Sequence, residues 1–189
     1  HDIKWFTDGK LNIVKNCIDR HLSKRGEKTA LIFEPNDINE QSQIISYNEL
    51  YVRVAKMANV LKSQGIDKGD RVCIYLPMIP ELAIAMIACA RIGAIHSVIF
   101  AGFSAEAIKT RVEDCGAKMV ITSDGGFRGA KTIQLKNIVD DAIKDLSAVE
   151  KVLVVKRTNE AVQMKEGRDL WLAPLYEAAE ESNVAQIMD

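Results

Sequence analysis

The chain has 189 residues, a formal net charge of −1 and 27% charged residues of both signs. A domain of this size buries roughly 70% of its unfolded surface without help from disulfides or metals, and so balanced a charge excludes bulk attraction to nucleic acid or to an anionic membrane surface. Any recognition of an anion is therefore local.

Residues 3–8 carry an aromatic pair, and after Gly9 the residues Leu11, Val14, Ile18 and Leu22 recur at spacings of three or four, which predicts one amphipathic helix ending near Gly26. Residues 28–33 read as a short strand, 34–43 as a polar loop containing Pro35, and Ile44-Ile45 as an edge strand. Ser46-Tyr47-Asn48-Glu49 matches a capping box, in which hydroxyl and carboxylate satisfy orphan N–H groups at a helix start. The stripe Leu50, Val54, Met57, Ala58, Leu61 follows it, and Gly65 supplies the stop.

Residues 71–76 read as a strand closed by Pro77, and Pro80 with Glu81 opens a helix to Ile92 whose run from Leu82 to Ala90 has no polar face and is expected to be buried on most sides. That run is too short to cross a membrane. Residues 95–100 are the next strand, Ser104 caps a helix to Cys115, and Met119 to Thr122 is a further strand. A helix is predicted over 137–146, a strand over 151–155, an exposed connection over 156–169 and a last helix over 171–182. Alternating helices and continuous apolar strands predict an α/β fold, a mostly parallel sheet with helices on both faces.

The cysteines Cys17, Cys73, Cys89 and Cys115 lack C-x-x-C spacing and lie among apolar neighbours, so they read as four buried thiols in a reducing cytosol. His21 reads as a surface residue and His96 as a hydrogen-bonded core histidine. No metal-ligand spacing occurs, and the opening on His1 without a Met suggests a piece of something longer.

The stretch that stands apart is 118–136. Its strand empties into Asp124-Gly125-Gly126, followed by Arg128 and Lys131 around Gly129-Ala130. Small residues allow backbone to approach a ligand, and fixed cations beside exposed N–H groups suit a phosphate. In a parallel sheet such a loop lies at the carboxyl edge, where ligands bind. Residues 125–132 match G-x-x-x-x-G-K-[ST] except at Ala130, but Ile133-Gln134-Leu135 looks extended where a P-loop would open a helix. Two readings of the residues stay open: a phosphate site on Arg128 and Lys131, and a solvated connection of ordinary turn residues.

Several stretches together resemble AMP-forming acetyl-CoA synthetases of the adenylate-forming superfamily. Trp5-Phe6, Gly9, Leu11-Asn12 and Asn16-Cys17 with Asp19-Arg20-His21 are similar to that family's W-F-x-x-G-x-L-N-x-x-x-N-C-x-D-R-H opening. Gly69-Asp70-Arg71-Val72, the run from Tyr75 to Glu81, the run from Ala90 to Val98, and Gly102-Phe103-Ser104 are also similar. The resemblance implies the first subdomain of the adenylate-forming N-terminal domain, with residues 1–27 the end of an N-terminal extension and 28–189 the N-terminal part of the AMP-binding domain. It implies that acetate and ATP give bound acetyl-AMP and pyrophosphate, with Mg²⁺ at the phosphates, before CoA attacks and AMP leaves.

The family's CoA segment, D-x-G-x-R-x-G-R, falls on 124–131. Arg128 matches the first arginine, and Lys131 keeps the charge of the second without its planar fork; the implied CoA-binding residues are Arg128, Gly129, Ala130 and Lys131. The resemblance further implies small-molecule partners (acetate, ATP, CoA), no nucleic acid or membrane partner, a cytoplasmic setting, and catalytic, acyl-pocket and Mg²⁺ sites in the remainder of the same polypeptide. This segment alone is then expected to be inactive. The alternative is an independent α/β module that binds a phosphate or nucleotide.

Overall fold

The computed structural model describes residues 7–129 and 131–188; the Trp5-Phe6 pair and Ala130 lie outside them. Five strands form a parallel sheet: β3 (Arg71–Tyr75), β4 (Ile95–Val98), β5 (Met119–Ser123), β8 (Lys151–Val155) and β9 (Asp169–Trp171), in the spatial order β4-β3-β5-β8-β9. Two antiparallel hairpins stand outside it, β1 (Thr29–Phe33) with β2 (Gln43–Ser46), and β6 (Gly126–Arg128) with β7 (Lys131–Ile133).

Alternate side chains of each central strand feed two cores, which is why the strands read as unbroken apolar runs. Val72, Ile74, Met119, Ile121, Leu153 and Val155 face the helices α3 (Tyr47–Ser63) and α4 (Pro80–Ile92). Cys73, Tyr75, Val120, Val152 and Val154 face α5 (Ala105–Cys115) and α6 (Leu135–Ile143). The fold is thus the α/β class expected, with helices on both faces.

The order has a functional corollary. From β3 the chain crosses by α4 to β4, then returns by α5 on the opposite face to β5. Successive crossovers leave in opposite directions from between β3 and β5, and an open sheet holds its crevice at that switch point, beyond the carboxyl ends of the strands.

The capping box forms as predicted: Glu49 N–H donates to Ser46 Oγ at 3.2 Å and Ser46 N–H to Glu49 Oε2 at 2.8 Å. Ser104 likewise caps α5, accepting from Ala107 N–H at 3.4 Å. In the apolar helix α4, Ile84, Ala85, Ala88 and Cys89 are buried while Leu82, Met86 and Ile87 are half-buried.

Several expectations are corrected. The first amphipathic stripe is not one helix but α1 (Ile13–Cys17), a 3-10 turn at Asp19–His21 and α2 (Leu22–Arg25). Asn12 caps α1 through Val14 N–H and donates to the carbonyls of Ala90, Arg91 and Gln186, while Asp19 takes the buried Arg91 at 2.8 Å. These tertiary anchors fix the segment on both sides of Ile18 and outweigh helical continuity. Leu11 is left half-exposed in an antiparallel bridge to Met188.

Further along, α6 starts at Leu135 instead of 137, because the preceding strand is used up in the hairpin. The connection 156–169 is not wholly exposed, since Asp169 is buried, and the last helix, α7 (Leu172–Ala178), is shorter than predicted. Cys17 is exposed, Cys115 is half-buried and only Cys73 and Cys89 are buried. His96 is half-buried on the edge strand β4 and not in the core, because among the described residues only one side of that strand has a neighbour. His21 is half-buried with its ring edge-on to Tyr47 at 5.4 Å.

Candidate functional site

The loop after β5 is a β-hairpin in place of a plain connection. Its register sets Arg128 directly opposite Lys131, so two cations three residues apart in sequence become cross-strand neighbours. Gly129 makes the turn with a φ of 59°, in the left-handed region that glycine enters without strain. Like charges placed directly opposite destabilise a hairpin, and among the described residues neither cation has an acidic partner. An anion held between them would relieve the repulsion.

The base of the hairpin is held by Asp124, fully buried at the end of β5. Its Oδ1 accepts from the N–H groups of Gly125 at 2.7 Å, Arg157 at 2.7 Å and Thr158 at 3.0 Å. Gly125 has to be glycine for lack of space: a Cβ there would stand 2.5 Å from Thr158 Oγ1 and 3.0 Å from the Ile133 carbonyl oxygen. Asp124-Gly125 is therefore a built joint between the ends of β5 and β8.

Beside the hairpin lies a cavity of about 500 Å³ lined by Phe33, Pro77, Met78, Phe100, Phe127, Arg128 and Arg157, with Glu34 as its carboxylate. Pro77 and Met78 follow β3, Phe100 follows β4, Phe127 and Arg128 follow β5, and Arg157 follows β8. The cavity thus sits at the carboxyl edge of the sheet, over the β3–β5 switch point.

Of the four residues singled out in the sequence, Arg128 lines this cavity, Gly129 turns the hairpin and Lys131 stands across from Arg128 outside the lining; Ala130 lies outside the described residues. The P-loop arrangement does not form, because Lys131 is in β7 and the next helix has no side-chain cap at Gln134.

Arg157 and Phe100 were not singled out. The rule that flagged 124–131, position just beyond a parallel strand, applies equally to residues two places past β8 and β4. Arg157 is half-buried, forks onto Glu40 at 2.6 and 2.7 Å, and lies over the rings of Phe127 and Phe33. The hydrogen bond from Arg157, before its charge, holds the Glu40 carboxyl below the usual carboxylate range.

A second cavity, about 830 Å³, opens at the other edge between α6 and the approach to β9. Three of its charged lining residues, Asp140, Arg168 and Asp169, are paired among themselves and with Lys136 beneath them: Lys136, wholly buried, holds Asp169 Oδ2 and Asp140 Oδ2 at 2.7 Å each, and Arg168 also meets both acids. Burial alone would raise the Asp169 carboxyl, but hydrogen bonds from Arg168, Lys136 and the Lys165 N–H bring it below its ordinary value. This cluster is structural. Among the described residues no group of three or more His, Cys, Asp and Glu could hold a metal ion, and no helix is long and apolar enough to cross a membrane.

Comparison with known proteins adds the family. The model of the AMP-binding enzyme family matches residues 18–188. An acetyl-coenzyme A synthetase of Desulfatibacillum aliphaticivorans is 57% identical over 170 residues, covering 90% of this chain and 26% of that protein. One from Methylorubrum populi is 55% identical over 181 residues, 95% of this chain and 27% of that protein. The solved acetoacetyl-CoA synthetase from Streptomyces lividans shares the fold with a TM-score of 0.87 over 98% of this chain and 28% of its own, at 24% identity. The chain therefore spans about a quarter of the length of these relatives. With a family match that runs over nearly all of the described residues, the chain belongs to the AMP-binding enzyme family.

Proposed function

We propose that these residues are the N-terminal part of an acetate–CoA ligase and that the β6–β7 hairpin is a wall of its CoA site. The observation that carries the reading is the cross-strand pair Arg128 and Lys131, two cations without an acidic partner among the described residues, at the switch-point edge of a parallel sheet. The names of the relatives support acetate as the acyl substrate.

In this reading the ligase joins acetate to ATP, giving acetyl-AMP and pyrophosphate; the CoA thiol then attacks the acyl carbon and AMP leaves. The residues in hand serve the second half-reaction by binding. Arg128 offers a planar fork to a CoA phosphate and Lys131 a mobile point charge. The rings of Phe100 and Phe127, 65% and 42% exposed, line the same cavity as Arg128 and offer aromatic surface against which an adenine can stack. A lone phosphate would need the cations but not the rings.

Adenylation and the Mg²⁺ it uses fall to the remainder of the polypeptide; the described residues offer no ligand cluster for a metal ion. The 189-residue segment mixed with acetate and ATP is expected to release no pyrophosphate; release above a protein-free blank refutes this. In the full-length enzyme Arg128→Ala removes a charge-assisted phosphate contact worth about 1.5–3 kcal/mol. The KM for CoA should rise about 10- to 100-fold, while acetate-dependent ATP–pyrophosphate exchange, which uses no CoA, continues. An equal fall in both half-reactions would sink the CoA assignment.

A further inference from the structure

We propose that Arg157 is a positioning residue of the CoA site, setting where the β6–β7 hairpin stands and therefore where Arg128 meets its phosphate. The inference rests on the reading of Arg128 as a CoA ligand.

A hairpin with two strands of three residues has little stability of its own and takes its position from what it leans on. Phe127, next to Arg128 on β6, has the Arg157 guanidinium 5.3 Å from its ring centroid, and the same guanidinium lies 5.8 Å from the ring of Phe33 at the end of β1. A planar cation shared by two rings attracts both faces and resists sliding of either. Its direction is fixed in turn by the two bonds to Glu40, in the β1–β2 connection. The backbone of Arg157 is held as well, since its N–H donates to the buried Asp124 Oδ1 at the root of the same hairpin.

Arg157 therefore joins three separate pieces of chain, the β1–β2 unit, the end of β8 and the hairpin. Its fork is closed on Glu40, so the bidentate grip that would suit a phosphate is already engaged within the protein. That assigns Arg157 the placing of Arg128 and leaves phosphate contact to Arg128 itself. None of this could be read from spacing, because Glu40 and Phe127 lie 117 and 30 residues away along the chain, the first separation being that of the Arg157–Glu40 bond.

The test uses the full-length enzyme. Arg157→Met keeps the bulk of the side chain and removes charge and fork. The KM for CoA should rise about tenfold, with kcat at saturating CoA within about twofold of the parent. In an Arg128→Ala background the same change should add little, because it acts through a residue no longer there. Should Arg157→Met fail to fold, as judged by circular dichroism, Glu40→Gln removes the charge and one of the two acceptors that fix the fork while leaving the rings in place, and its KM for CoA should rise about threefold. A KM unmoved in the variant that folds, or raised by the same factor with and without Arg128, overturns the inference. A KM unmoved by Arg128→Ala alone overturns the CoA reading instead, so the two failures are distinguishable.

Discussion

Asp124 shows how much a single carboxylate can organise. Three N–H groups from two strands' ends converge on its Oδ1, and the side chain is wholly buried. Leaving such donors unpaired costs about 1–3 kcal/mol for each one that stays buried. Asp124→Ala should therefore lower stability by about 3 kcal/mol, read as a shift in the urea midpoint at unchanged slope, whereas Arg128→Ala at the exposed hairpin should leave that midpoint within about 0.5 kcal/mol. If the two substitutions shift it equally, Asp124 does not hold the joint. In the sequence Asp124 looked like any turn aspartate, because spacing says nothing about N–H groups arriving from residues 157 and 158.

At the scale of elements, legibility followed how local the cause was. The capping box on α3 and the cap at Ser104 depend on residues within three positions and were readable. The central strands β3, β5 and β8 were readable because their side chains are buried on both faces and leave unbroken apolar runs, whereas β9, three residues long and partly exposed, read as the end of a connection and the start of a helix. The β6–β7 hairpin was not, since three-residue strands with exposed cations carry no alternation to detect. The breaks around Ile18 were hidden for a different reason, because they are imposed by Arg91, 72 residues from Asp19, and by carbonyls 78 to 174 residues from Asn12.

The tie between α6 and β9 belongs to this scale too. Asp169 has a folded pKa below its unfolded value, so its contribution to stability is complete above the ordinary aspartate value of about 3.9 and is lost as the pH falls through the lower folded value. Asp169→Asn removes that dependence. Urea midpoints measured from about pH 6 down to about pH 3 should fall less steeply for Asp169→Asn than for the parent. Parallel curves would show that the pairing with Lys136 and Arg168 does not couple folding to pH.

Over the whole molecule, the sheet order determines where chemistry can occur. Reversal of crossover direction between β3 and β5 opens a crevice without any special sequence, lined by residues that follow four strands of the sheet together with Phe33 and Glu34 from the β1–β2 unit outside it. That a crevice lies at the carboxyl edge of the sheet was legible from alternating strands and helices. Its lining was not, because Phe100 and Arg157 come together only through the order of the strands, and Phe33 only through the packing of the separate β1–β2 unit against Arg157.

The same order leaves β4 at the margin of the sheet, with Ile95 56% and Val98 39% exposed and its outer N–H and C=O groups without a strand neighbour among the described residues. A bare apolar margin is a template on which another chain can add itself, and repeated addition grows aggregates. Produced by itself, the segment should scatter light increasingly with concentration and temperature. Ile95→Lys, which puts a charge on that margin, should delay the onset, and an onset unchanged by the substitution would place the growth surface elsewhere.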